Sequence, residues 1–182
     1  MTGLTTINGT FAIDPAHSRL GFVTRHAMVT KVRGSFNDFE GTASGDGQNP
    51  ESAKVNVTIQ TASFDSSNEQ RDEHVRGDDF LKTAQFPTMT FDSTKVEVVD
   101  EDTLNVTGDL TIMDTAREIT IPFDFAGEAT DPFGNVRIGF EGKTKISRKD
   151  FGLTWNAALE TGGVLVSDDV TLEIEISAIK QA

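Results

Sequence analysis

Along most of the chain, apolar and polar residues alternate with a period of two, the pattern of strands with one buried face and one wet face. In Val55-Asn56-Val57-Thr58-Ile59 the apolar positions fall on one side and the polar ones on the other. Leu104, Val106, Leu110 and Ile112 repeat it with an interruption at Gly108, and Ile119, Ile121, Phe123 and Phe125 continue it. Val136, Ile138 and Phe140 follow. Val170, Leu172, Ile174 and Ile176 close the chain, with Thr171, Glu173, Glu175 and Ser177 on the opposite face. Turn residues separate these runs at Gly45 to Pro50, Asp100 to Asp102, Met113 to Ala116 and Asp131 to Asn135. Strands of about ten residues joined by short links predict an up-and-down antiparallel meander of about eight strands. Closing that meander into a barrel removes its edges. The fold class read from the pattern is therefore all-β, a single antiparallel up-and-down barrel.

One segment breaks the alternation. Asp65 to Leu81, DSSNEQRDEHVRGDDFL, is polar and rich in helix formers. Ser66 with Glu69, and Ser67 with Gln70, both fit a capping box. Gly77 is placed to end the helix in a left-handed conformation, and Phe86-Pro87 returns the chain to an extended strand. The segment reads as a short helix and loop covering one barrel end. No internal repeat, low-complexity stretch or linker interrupts the 182 residues, which read as one domain, 1–182.

Composition narrows the function. A hydrophobic content of 36% with 13 Phe suits a packed globule. Sixteen basic against 29 acidic residues give a net charge of −13. That charge repels phosphate backbones and anionic lipid surfaces, so neither nucleic acid nor electrostatic membrane docking is expected. The chain contains no cysteine, which excludes disulfides, thiolate metal sites and a Cys nucleophile. No run approaches the roughly 18 apolar residues of a membrane span, so stable insertion is not expected either. The opening stretch, MTGLTTINGTFAID, has neither the basic nor the apolar region of a signal peptide. The expectation is a cytoplasmic protein, although a form that had lost a leader would read the same.

The candidate chemistry is sparse. His17, His26 and His74 are the three histidines. They lie in separate segments without HExxH-like spacing, and no fourth ligand presents itself, so no metal or cofactor is expected. Hydrogen bonding at strand ends or on the helix is the leading reading, with contact to a ligand head group by His26 or His74 as the other. His17 and Ser18 are adjacent on an extended chain and point to opposite faces, which disfavours a serine nucleophile with its base. No GxSxG elbow, P-loop or GxGxxG occurs, and the chain does not read as an enzyme. Arg71-Asp72, and Arg148 in ISRKDFG, read first as ion-pairing residues. Phe22, Phe36, Phe91, Phe123, Phe125 and Phe140 belong to the barrel interior. An eight-stranded barrel is either filled by its own side chains or holds one small ligand, and the residues leave both open.

Four stretches together carry a family resemblance. They are Asp14-Pro15-Ala16-His17-Ser18 through Phe22 and His26 to Gly34–Gly41, and Arg71-Asp72-Glu73-His74 with Asp79-Phe80-Leu81, Phe86-Pro87 and Thr90–Ser93. Gly108–Ile112 with Asp131–Gly134 and Arg137–Phe140 is the third, and Ile146–Gly152 with Val166–Val170 the fourth. In order and spacing the chain resembles the YceI family of bacterial polyisoprenoid-binding proteins. The resemblance implies an extended lipocalin-like barrel with a helical cover, binding a long isoprenoid lipid such as a quinone inside. Many members of that family carry a secretion signal, from which this sequence departs. With a lipid inside, the ligand-binding residues expected from the inward faces are Phe22, His26, Phe36, Phe91, Leu110, Ile112, Phe123, Phe125, Phe140 and Trp155. Two other classes stay open: a hydrolase or isomerase acting on a bound lipid, and a structural stress-response module with a filled barrel. The expected partner is the lipid itself, and the reading leaves room for a homodimer.

Overall fold

The computed structural model describes residues 3–160 and 162–182. Among them run eleven strands and one α-helix. The strands are β1 (Gly9–Ile13), β2 (Arg19–His26), β3 (Thr30–Phe36), β4 (Phe39–Gly45), β5 (Lys54–Gln60), β6 (Phe64–Asp65), β7 (Thr88–Val98), β8 (Thr103–Ile112), β9 (Thr115–Thr130), β10 (Val136–Ser147) and β11 (Asp169–Lys180), and the helix is α1 (Glu69–Arg76).

The eleven strands make eight staves, because three staves are bent and broken. β1 and β2 are one antiparallel stave interrupted by a 3-10 turn at Pro15–His17, where proline has no amide to give the ladder. β3 and β4 break at Asn37-Asp38, and β5 and β6 at a 3-10 turn, Thr61–Ser63. The pairings keep step across the breaks: β1 pairs β4 and β2 pairs β3, while β4 pairs β5 and β3 pairs β6. β11 closes the ring, pairing β10 along its length, β2 at Thr171–Glu175 and β1 at Ala178–Lys180. The result is the closed eight-stranded antiparallel barrel expected from the meander pattern.

Local chemistry sets the turns. Ala27 and Met28 between β2 and β3, and Met113 and Asp114 between β8 and β9, all have positive φ. Such left-handed pairs match the twist of the strands they join, with Val29 a third linking residue between β2 and β3. Asp131 organises the β9–β10 turn, its carboxylate accepting from the amides of Phe133 and Asn135 at 2.8 and 3.0 Å. Gly108 lies opposite a register shift at Ser93/Lys95, which accounts for the interruption in the β8 pattern.

The two barrel ends differ. One is plugged by the short turn Leu4–Thr6, where Leu4 and Ile7 are buried and the Leu4 amide donates to the Glu101 carbonyl at 3.1 Å. The other is covered by α1, by buried Phe80 and Leu81, and by residues 148–160 and 162–168. The helix lies where the sequence puts it, but its caps do not. Asn68 is the N-cap, accepting from the Arg71 amide at 2.9 Å, and neither Ser66 nor Ser67 serves. Ser66 is turned inward, its hydroxyl bound to Asp72 and receiving Arg71 Nε. Gly77 ends the helix in an extended conformation, φ −82°, so the left-handed cap expected there does not form. The left-handed residue of that loop is Lys82.

Candidate ligand cavity

The inward faces of the staves enclose a cavity of about 740 Å³, within the size range of small-molecule sites. Its lining runs from Leu4, Ser44 and Asp46 at one barrel end to His74, Arg148 and Trp155 at the other, so the cavity is elongated along the barrel. Phenylalanine rings line it without filling it. Phe22, on β2, faces Gly34 on β3, and its ring occupies the space a side chain at residue 34 would take. Phe123 faces Gly142 across β9 and β10 in the same way, and Phe91 lies against Gly108 diagonally across β7 and β8. Each glycine lets a ring lie back against the wall, and the middle of the barrel stays open.

Phe22, Phe36, Phe91, Leu110, Ile112, Phe123, Phe140, Trp155 and His26 all border this space. Phe125 does not. It is half-buried where β9 runs past the start of β8, whose Thr103 pairs with Asp124, and packs on its cross-strand partner Phe140 with ring centres 5.2 Å apart. The alternation rightly puts Phe125 on the face of Phe123, as its pairing with Phe140 shows, but it cannot tell where the neighbouring strand ends. Phe11, Phe64 and Leu153 also line the cavity and were not among the expected residues. Phe64 stacks on Phe22 at 4.9 Å, yet its strand is two residues long and carries no readable alternation.

Polar residues border the cavity only near its ends. At the plugged end these are Ser44 and Asp46; at the covered end they are Thr24, Arg25, His26, Asn68, Gln70, Arg71, His74 and Arg148. Between them every lining residue is apolar or glycine. His74 stands edge-on to Trp155 at 4.7 Å and to Phe80 at 5.1 Å, while its Nε2 meets Asp79 at 2.9 Å. His26 lies exposed at the rim, where its backbone bridges to Val166.

Neither arginine behaves as the expected ion-pairing residue. The charged groups of Arg71 and Asp72 form no ion pair with each other; the Ser66 hydroxyl stands between them, and Arg71 Nη2 donates to the Ser66 carbonyl at 2.7 Å. Adjacent helical residues point in different directions, so an intervening group is needed to join them. Arg148 is 5% exposed and donates to backbone carbonyls instead: Ser167 at 2.9 Å, Leu153 at 2.8 Å, Trp155 at 3.3 Å and Val166 at 3.4 Å. Its guanidinium lies 5.8 Å from the Phe80 ring centre. Burial lowers its pKa, opposed by the charge of Asp168. Arg148 thus latches the covering segment to the barrel.

The remaining clusters lie outside the cavity. Arg137 donates to Asp14 and to Asp131, both at 2.8 Å, tying β10 to the break between β1 and β2 across β11. The Arg137 guanidinium holds both carboxyls below their ordinary range, with His17 adding to the effect at Asp14. His17 Nδ1 binds Asp14 at 2.8 Å, while the Ser18 hydroxyl exchanges hydrogen bonds with the Ser177 backbone. The two face different partners and form no dyad. Among the described residues no three His, Cys, Asp or Glu side chains converge as metal ligands, and no helix is long and apolar enough to cross a membrane.

A closed antiparallel barrel around an elongated apolar cavity, polar only at its ends, defines a lipocalin-like barrel. The sequence profile of the YceI-like domain matches residues 11–178, and the chain belongs to that family. Protein YceI of Escherichia coli O157:H7 is 39% identical over 165 residues, covering 91% of this chain and 83% of that one. Among solved structures, Burkholderia cenocepacia BcnA superimposes with a TM-score of 0.80 at 25% identity, covering 91% of this chain and 98% of the other. A polyisoprenoid binding domain from Saccharophagus degradans shares the fold with a TM-score of 0.73 at 18% identity, covering 94% and 98%.

Proposed function

We propose that this chain binds a long apolar amphiphile inside the barrel, a polyisoprenoid such as an isoprenoid quinone or polyprenyl lipid, and stores or carries it. The observation that carries the reading is the elongated cavity of about 740 Å³, apolar along most of its length and polar only at its ends. An amphiphile matches that distribution, since an unpaired polar group in the middle would lose its solvation. The polyisoprenoid binding domain of the same fold supports the choice of lipid.

Energetics favour a carrier over a fast catalyst. Burying each CH₂ contributes about 0.8 kcal/mol. A lipid of tens of carbons would then exceed the ceiling of about −20 kcal/mol for non-covalent binding, so chain ordering and competition from membranes offset much of it. Such a site binds by shape, discriminates weakly among chains and releases slowly. The separation of His17 and Ser18 also supports binding over hydrolysis.

Organic extraction of the purified chain followed by mass spectrometry tests the reading, with one isoprenoid lipid per chain expected. Trp155, the single tryptophan, borders the cavity and reports filling by its fluorescence. Recovery of no lipid, together with unchanged Trp155 emission when a long isoprenoid quinone is added, would overturn it.

A further inference from the structure

The net charge of the whole molecule argues against anionic surfaces, but the β2–β3 ribbon at the cavity mouth carries charge of the opposite sign. Residues 19–36, the two strands β2 and β3 with their turn, contain Arg19, Arg25, Lys31 and Arg33 and not one Asp or Glu. The rest of a chain of net charge −13 is correspondingly more acidic. Arg25 and Lys31 are direct partners across the ribbon, and Arg33 follows two residues on, on the same outward face. All three are exposed.

At the tip of this basic ribbon the side chains are apolar and exposed. Met28 is 58% and Val29 75% exposed, and Val164 of the neighbouring loop adds 41%. The turn itself is an unusual place for them. Ala27 and Met28 have φ of 50° and 65°, a conformation that favours Asn and Gly and is strained for residues with bulkier side chains. An apolar tip is therefore kept against local preference, which points to use of the side chain itself.

The tip belongs to the rim of the cavity. The Ala27 amide donates to the Leu165 carbonyl at 2.7 Å, the Ser167 amide to the Arg25 carbonyl at 3.1 Å, and Arg25, His26, Leu165 and Val166 all border the cavity. The adjoining segment contributes Glu160, Asp168 and Asp169. Of these, Asp168 is engaged by Ser147 and the Lys149 amide, and Asp169 lies 3.9 Å from Lys145.

We propose that the β2–β3 hairpin docks the cavity mouth onto a bilayer surface containing anionic lipid. Met28, Val29 and Val164 enter the interface, and Arg25, Lys31 and Arg33 meet the head groups. The inference rests on the cargo reading for its purpose, since a membrane is where an apolar cargo is taken up and delivered. A nucleic acid would meet the cations but gain nothing from the apolar tip, whereas an anionic bilayer engages both. Each basic side chain near an anionic leaflet strengthens association by about five-fold, and added salt weakens it.

Sedimentation of the full chain with vesicles tests this, using phosphatidylcholine alone and phosphatidylcholine mixed with phosphatidylglycerol, without added cargo. Binding is expected only to the mixed vesicles and should fall as salt rises. Arg25→Gln/Lys31→Gln/Arg33→Gln should weaken it roughly 100-fold. Met28→Asn/Val29→Ser, in which Asn suits the left-handed turn and the fold is kept, should weaken it about ten-fold or more. Phe133→Ser, altering a residue 90% exposed at the opposite end, should change nothing. Equal binding to both vesicle types, loss of binding with Phe133→Ser, or loss with the charge variant but not the tip variant would each overturn the inference. A chain that yields lipid on extraction yet ignores mixed vesicles sinks the docking alone. A chain that docks and yields no lipid sinks the cargo reading alone.

Discussion

Phe22 and Gly34 face each other across β2 and β3, and the Phe22 ring comes within 2.4 Å of where a β-carbon on residue 34 would stand. The same site lies 2.6 Å from the Asp65 carbonyl, which is backbone and cannot swing aside. Gly34→Ala must therefore displace either an aromatic stack or the β3–β6 pairing. A loss of about 1–3 kcal/mol is expected, read from the midpoint of urea unfolding.

Gly142 makes the complementary test. A β-carbon there meets only side chains, with Phe123 at 2.5 Å and Ile121 at 3.1 Å. Gly142→Ala should push the Phe123 ring into the cavity at little cost to the fold. Lipid content per mole of protein should fall while the unfolding midpoint changes by less than about 1 kcal/mol. Full lipid content would show that the rings do not set the free space.

Blocking the cavity and altering its mouth should separate sharply. Leu110 is buried in the cavity wall, so Leu110→Trp is expected to abolish uptake of long chains with the barrel intact by circular dichroism. His26 sits at the rim, and His26→Ala should weaken uptake by only about 1 kcal/mol. An empty His26 variant beside a loaded Leu110 variant would indicate that a polar site governs binding.

Removing Arg148 should loosen the cover and leave the barrel standing. Lysine cannot reach four diverging carbonyls from one ammonium group. Arg148→Lys is expected to lose about 2–4 kcal/mol and to expose residues 157–165 to limited proteolysis. Unchanged protection of that segment would show that the latch lies elsewhere.

Acid should act through Asp14 and Asp131. Their folded-state pKa values lie below the ordinary value near 4, so the unfolded chain binds protons first as pH falls. Their contribution is fully present above about pH 4 and is lost as pH drops through the lower folded values. Arg137→Gln removes the cause of the depression. Its unfolding midpoint should vary less between pH 5 and pH 3 than that of the parent chain, both pH values being about those flanking the ordinary carboxylate pKa.

The barrel was legible in the sequence because strand burial follows a local rule. Residues two apart share a face, so Val170, Leu172, Ile174 and Ile176 declare an inward wall without reference to any partner. Turn residues and chain length then bounded the number of staves, and the polar stretch around Glu69 announced the helix. What depends on a neighbouring strand was not legible. Phe125 misses the cavity because β8 begins at Thr103, opposite Asp124, and leaves Phe125 past its end. Asn68 took the cap once Ser66 had turned toward Asp72. Arg148 met carbonyls from a segment that only folding brings over it. Whether thirteen phenylalanines fill a barrel or line it was likewise decided in three dimensions. The alternation determined by itself that Phe22, Phe91 and Phe123 point inward. Only the tertiary structure placed a glycine beside each ring, because cross-strand register is a property of two strands and neither encodes it alone.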